Sequence, residues 1–186
     1  MAQIVDGATD QQKRAFFSLE IRSFASSLPK NFREKFSSAL VDRLASALVD
    51  GTIFDIIKEL REVQQINEAN LFELRHQQEE QCAKRKQEFL ARNRPAFPMG
   101  NAIQQTSPDA LRAEKEELER FDAELANELK KTDMRIIMEL DQLTTQQQLT
   151  LEKAGLPGFF ASTKPDDISF QMYILDFVDK VGGNAD

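Results

Sequence analysis

Residues 107–155 read SPDALRAEKEELERFDAELANELKKTDMRIIMELDQLTTQQQLTLEKAG and decide the fold. Ser107 predicts an N-cap, and Pro108 suits the first helical position. No proline or glycine lies between Pro108 and Gly155. Gly155 is placed where a helix commonly ends in a left-handed conformation. A helix over residues 108–154 would span ~70 Å. Because a helix of that length needs a partner along its sides, the stretch predicts an α-helical interaction protein.

A second long helix is predicted over residues 52–93. Thr52 and Asp55 resemble a capping box at its start, and its apolar residues are concentrated in the first half. Residues 94–107 contain two prolines and one glycine, which predict a tip loop between the two long helices. Because this loop is short, we expect the helices to fold back on each other as an antiparallel hairpin.

The charge pattern of the two long helices supports that orientation. Residues 75–94 carry six basic and three acidic side chains, a balance of +3, whereas residues 109–128 carry eight acidic and three basic side chains, a balance of −5. An antiparallel hairpin lays these two stretches side by side. Surface ion pairs contribute only ~0–1 kcal/mol each, so this pattern selects the orientation more than it adds stability.

The rest of the chain predicts a helical head. Residues 10–50 contain amphipathic helices, residues 155–165 form an ordered connector, and residues 166–181 form a C-terminal helix whose apolar side chains cover most of its circumference. The predicted fold class is therefore all-α. We expect a single elongated helical domain, residues 1–186, in which a coiled-coil-like hairpin carries this head.

Six apolar residues form the predicted seam of the 107–155 helix. Four of them recur every eleven residues, and two more follow the first two by seven residues. They are Leu118, Leu125, Leu129, Ile136, Leu140 and Leu151. A period of eleven corresponds to about 3.67 residues per turn, which predicts a nearly straight or slightly right-handed supercoil instead of a heptad coiled coil.

Composition excludes several classes of protein. The chain has a net charge of −7 and a pI of about 4.9, which argues against direct binding of nucleic acid. Cys82 is the only cysteine, which suits a reducing compartment, so we expect an intracellular protein of the nucleus, the cytoplasm or both. The N-terminal residues do not resemble a signal peptide. No apolar stretch is long enough to predict a membrane span.

No catalytic, cofactor-binding or metal-binding residues are predicted. Glu73 and His76 match half of a di-iron signature, but His76 is the only histidine, so the second half is missing. Cys82 beside the basic residues 84–86 is either an ordinary helix cysteine or a reactive thiol. The basic residues themselves fit either a nucleic-acid or nuclear-import patch or a helix face paired with acidic residues.

Five apolar residues outside the long helices are candidates for partner binding. Leu156, Phe159 and Phe160 lie in the connector, and Phe97 and Met99 lie in the tip loop. Exposed aromatic rings in a connector would suit a binding hot spot. The alternative for the two connector rings is that they pack against the head and close its end.

Two blocks of sequence resemble a known family. They are LVDGTIFDIIKELREVQ at residues 48–64 and MELDQLTTQQQLTLEKAGLPGFFASTKP at residues 138–165. Both are similar to the gonadal protein family, which includes the vertebrate DiGeorge syndrome critical region 6 proteins. The order of segments over residues 10–178 also fits. The resemblance implies a small, non-enzymatic helical protein with coiled coil, associated in vertebrates with the nucleus and with development. It carries no catalytic residues over to this chain.

The function predicted from these features is that of a non-enzymatic coiled-coil scaffold or adaptor protein, acting through helix–helix contacts. The resemblance adds development or gametogenesis as its setting. A nuclear regulator associated with nucleic acid or chromatin is the alternative. The protein partner is left open, a homodimer included, and no cofactor is expected.

Overall fold

The structure is a computed structural model and describes residues 8–93 and 108–183. The described chain is 84% helical, with six helices and no strand, so the predicted all-α class is confirmed. The helices are α1 (Asp10–Ser27), α2 (Lys30–Arg33), α3 (Ser38–Ala47), α4 (Thr52–Arg92), α5 (Pro108–Lys153) and α6 (Pro165–Gly182).

The end of α5 explains why this long helix stops where it does. Gly155 has a φ of 81°, the left-handed conformation that glycine adopts without steric cost. Its N–H donates to the carbonyl of Glu152, and the N–H of Leu156 donates to the carbonyl of Leu151, both at 3.0 Å. This pair of hydrogen bonds is the Schellman motif. It turns the chain so that Leu151 and Leu156 are both buried.

The start of α4 differs from the predicted capping box. The N–H of Thr52 donates to Oδ1 of Asp50 at 3.1 Å. The carboxylate at this helix start therefore comes from two residues before Thr52, because Thr52 already lies inside the first turn. A full capping box does form at the start of α1, where Thr9 and Gln12 satisfy each other's backbone N–H groups.

The chain divides into two compact units. Met1–Gln65 together with Asp141–Asp186 form one, called here the terminal unit, and Ile66–Leu140 form the other, called the central unit. The main hydrophobic core lies in the terminal unit and draws on α1, α3, α6, the first turns of α4 and the last turn of α5. Phe177, Ile174 and Val178 of α6 are each at most 1% exposed.

Aromatic ring pairs join α1, and the turn between α2 and α3, to α6. The ring centroids of Phe24 and Phe177 are 5.6 Å apart, and those of Phe36 and Phe170 are 5.2 Å apart. Such ring pairs stabilise a core by ~0.5–1.5 kcal/mol beyond the area they bury. These contacts pack α1 and the turn between α2 and α3 against α6.

Candidate interaction surfaces

The connector between α5 and α6 is split between core and surface. Leu156 and Phe159 are buried, at 2% and 6% exposure, whereas Phe160 is 44% exposed. Phe160 is therefore the connector ring that is open to a partner. Phe97 and Met99, the other residues predicted to bind a partner, lie outside the described residues.

Two buried glutamines fix the connector to the helices on either side of it. Gln148 of α5 and Gln171 of α6 are 4% and 3% exposed, and Nε2 of Gln148 donates to Oε1 of Gln171 at 2.9 Å. The Gln148 amide also bonds both the N–H and the carbonyl of Ser162, and Gln171 donates to the carbonyl of Phe160. Because both glutamine amides have partners, their hydrogen bonds offset the cost of removing them from water, and the network holds the connector in place.

A groove of about 390 Å³ opens beside this network within the terminal unit. Leu60, Phe159 and Met172 give it apolar walls, and the two glutamine amides also line it. Arg61, on its rim, forms an ion pair with Asp179 of α6. An apolar groove with a few polar groups has the character of a site for a side chain or a small apolar ligand.

Ion pairs set the pairing of α4 and α5 within the central unit. Arg75 bonds Asp133 at 2.9 Å, and Lys86 bonds Asp122 at 2.7 Å. The two basic residues are eleven residues apart on α4, and their partners are eleven residues apart on α5 in the reverse order. The two helix segments of this unit therefore run antiparallel in register. The hairpin over its full length stays a prediction, because the tip loop lies outside the described residues.

Two guanidinium groups on α4, those of Arg75 and Arg85, have raised pKa values. The hydrogen bond to Asp133 and its charge raise the pKa of Arg75, with a further contribution from Glu79. The hydrogen bond to Glu128 raises the pKa of Arg85, which also contacts Glu124. Within the basic residues 84–86, Arg85 and Lys86 thus pair with carboxylates of α5.

The structure distributes the six predicted seam residues over a range of exposure. Leu125 and Leu151 are buried, Leu118, Leu129 and Ile136 are half-buried, and Leu140 is 37% exposed. Leu151 belongs to the core of the terminal unit. The assignment of all six to one seam stays a prediction.

Sequence reasoning missed several residues that meet between the two helices of the central unit. Cys82 is 5% exposed and accepts a hydrogen bond from Gln78, and Phe89 stacks on Phe121 with ring centroids 4.4 Å apart. The signal was present in the spacing, because Gln78, Cys82 and Phe89 follow one another by four and seven residues on one helix face. The polar residues between them obscured it.

A second groove, of about 380 Å³, lies between α4 and α5 in the central unit. Cys82 and Leu125 lie on its buried side, and two small residues, Ala83 and Ala126, line its walls. Lys86 and Asp122, which pair with each other, line it as well. A concave site with small side chains at its mouth can accept a large apolar side chain.

Large apolar side chains are also exposed on the central unit. The exposed fractions are 71% for Phe72, 52% for Met134, 51% for Ile137 and 67% for Met138. Met134 and Met138 are one helical turn apart, so they share a face of α5. Clustered apolar side chains that face solvent mark surfaces for other proteins more often than isolated ones do.

The described residues contain no group of three or more metal-ligating side chains that could hold an ion. Glu73 accepts a hydrogen bond from Gln77, and His76 lies 3.7 Å from Glu80 on the same helix, so each pairs with an ordinary helix neighbour. Over residues 8–93 and 108–183, no helix is both long and apolar enough to cross a membrane.

Comparison with known proteins gives a consistent set of relatives. The model of the family described as DiGeorge syndrome critical region 6 (DGCR6) protein matches residues 1–184. Protein DGCR6 of Gallus gallus is 33% identical over 172 residues, covering 92% of this chain and 85% of that protein. Gonadal protein gdl of Drosophila melanogaster is 32% identical over 168 residues, covering 90% and 79% respectively. No solved structure matches the chain.

Proposed function

The chain belongs to the DiGeorge syndrome critical region 6 (DGCR6) protein family, and we propose that it is a non-enzymatic scaffold or adaptor protein that binds another protein through helix–helix contacts. The observation that carries this proposal is the exposed apolar face of α5, with Met134 and Met138 at 52% and 67% exposure. The described residues form no metal-ligating group beside it that would point to chemistry instead.

The chemistry of α5 indicates what kind of partner it binds. Met134, Ile137 and Met138 follow one another at steps of three and one, and Lys130 and Lys131 precede them by one turn. Methionine adapts to irregular apolar surfaces. We therefore propose that the partner contributes an amphipathic helix whose apolar stripe packs on these residues and whose acidic residues lie toward the two lysines.

The names of the relatives support a setting for this function. The Drosophila protein is named a gonadal protein, and the family is described by the DiGeorge syndrome critical region 6. We propose a role in development or gametogenesis inside the cell, in the nucleus, the cytoplasm or both. Nucleic-acid binding is the weaker alternative, because Arg85 and Lys86 already pair with carboxylates of α5.

Crosslinking mass spectrometry on the native assembly tests the proposal. The chain is expressed at its natural level with an affinity tag, either unchanged or as Met134→Asp/Met138→Asp. We expect a stoichiometric partner whose crosslinks map near Lys130 and Lys131, and we expect the double variant to lose it, because two carboxylates would have to be buried at the contact.

Gln142→Asp/Gln146→Asp is the matched control. Both glutamines are exposed, lie on α5 and have the same four-residue spacing, so the variant adds the same charges without removing apolar surface. It should keep the partner. Recovery of no stoichiometric partner with the unchanged chain, or equal loss in both variants, would contradict the proposal.

A further inference from the structure

Phe72 is the most exposed large apolar side chain among the described residues, at 71%. It lies on the central unit, and its ring is 6.5 Å from that of His76 one turn later. An aromatic ring left in solvent on a helix whose opposite face is packed has no role in the fold of this unit. Phe72 therefore presents a large apolar projection to another molecule.

The groove of the central unit lies on the same side of α4 as this ring. Ala83 follows Phe72 by eleven residues, which is three helical turns and returns to within about 20° of the same direction. His76 and Glu79 fall on the same row, four residues after Phe72 and four residues before Ala83. One row of α4 thus carries, in order, a large ring, an imidazole, a carboxylate and a small residue at the groove.

This row is complementary to itself. If a second α4 runs antiparallel about a two-fold axis, the operation that sets Phe72 against Ala83 of the second copy also sets His76 against Glu79 of that copy. Each of these contacts then occurs twice, as two-fold symmetry requires. The imidazole N–H can donate to the carboxylate, which in one chain already accepts from Arg75. The same two-fold rotation therefore sets a large ring against a small residue and a hydrogen-bond donor against an acceptor.

We propose that two copies of this chain associate through the row Phe72, His76, Glu79 and Ala83, with the Phe72 ring of each copy seated in the groove lined by Ala83 and Ala126 of the other. The groove volume of about 380 Å³ leaves room for the ring, and buried Leu125 and Cys82 give it an apolar floor. The surface is separate from the Met134–Met138 face, so it holds whether or not that face binds another protein.

Sedimentation equilibrium of the purified full-length chain tests this association. We expect a mass of twice the 21.2 kDa of one chain. Phe72→Ala removes the projection and Ala83→Phe fills the groove, so each should weaken the dimer about 30-fold or more, the effect of losing a buried hot spot.

Both altered positions are exposed in one chain, so the fold should survive, and far-ultraviolet circular dichroism checks this. Leu19→Ala, at a position 69% exposed in the terminal unit, is the matched control and should leave the dimer unchanged. A monomeric unchanged chain would overturn the proposal. So would a Phe72→Ala or an Ala83→Phe variant as dimeric as the unchanged chain.

Discussion

Single buried amides determine how the connector is held in the terminal unit. Gln171 accepts a hydrogen bond from Gln148 and donates one to the carbonyl of Phe160. Both glutamine side chains are buried. A carbonyl that loses its side-chain donor inside a folded unit must be solvated again or remain unpaired. Both outcomes cost free energy, so this one side chain couples α5, the connector and α6.

Gln171→Ala should lower the free energy of unfolding by about 1–3 kcal/mol, because it leaves buried polar groups without a partner. Urea unfolding followed by circular dichroism measures the change. Gln146→Ala, at an exposed glutamine on α5, should change it by at most about 0.5 kcal/mol. Equal effects of the two substitutions would show that the buried network contributes nothing specific.

The burial of Gln148 is a feature of this network that the sequence did not predict. Polar Gln148 stands in a run of three glutamines, and composition alone assigns all three to a helix surface. Its burial depends on Ser162 and Gln171, which lie 14 and 23 residues away. By contrast, Gly155 was predictable, because a left-handed helix end requires glycine for a local steric reason.

The two long helices, α4 and α5, are paired within the central unit by a thin apolar seam and by ion pairs. The charge balance of the sequence indicated which stretches face each other, and Arg75, Arg85 and Lys86 do bond carboxylates of α5. The exact partners were not predictable, because moving one helix along the other by one or two residues would pair different side chains. Each exposed pair contributes little, so the apolar seam must supply most of the stability.

Leu129→Asp combined with Ile136→Asp should separate the two helix segments of the central unit. Both side chains are half-buried, so the variant would place two charges in the seam, at a cost of roughly 3 kcal/mol or more. Limited proteolysis within residues 66–93 and 109–140 measures the loss of packing. Met134→Asp/Met138→Asp adds the same charges to the exposed face of α5 and should leave proteolysis unchanged. Equal resistance of all three chains would mean that the seam is assigned to the wrong face.

At the scale of the whole molecule, the two units differ in how much apolar surface they bury. Fifteen buried residues form the core cluster of the terminal unit. In the described part of the central unit the buried apolar residues are Leu71, Cys82 and Leu125. The prediction of a helical head came from the dense apolar pattern of residues 10–50 and 166–181. The division at residues 65 and 141 was not predictable, because both long helices continue through it without a glycine or proline.

Hydrogen exchange followed by mass spectrometry should therefore show two levels of protection. Amides of α3 and α6 should exchange last, since they open only when the core cluster is lost, and amides of α4 and α5 in the central unit should exchange earlier. Phe177→Ala should accelerate exchange in the terminal unit, because removing a buried ring costs about 3–5 kcal/mol. Uniform protection over residues 8–93 and 108–183 would contradict this difference.

The eleven-residue interval between the ion pairs Arg75–Asp133 and Lys86–Asp122 limits how the family can change in length. Inserting one residue into α4 alone would rotate everything beyond it by about 100° and separate each later side chain from its partner. A length change is tolerated when it is close to a whole number of turns and is matched on α5. Relatives with a longer or shorter central unit should therefore differ by seven or eleven residues in both helices at once. Insertions or deletions in one of the two helices would be retained only together with a matching change in the other.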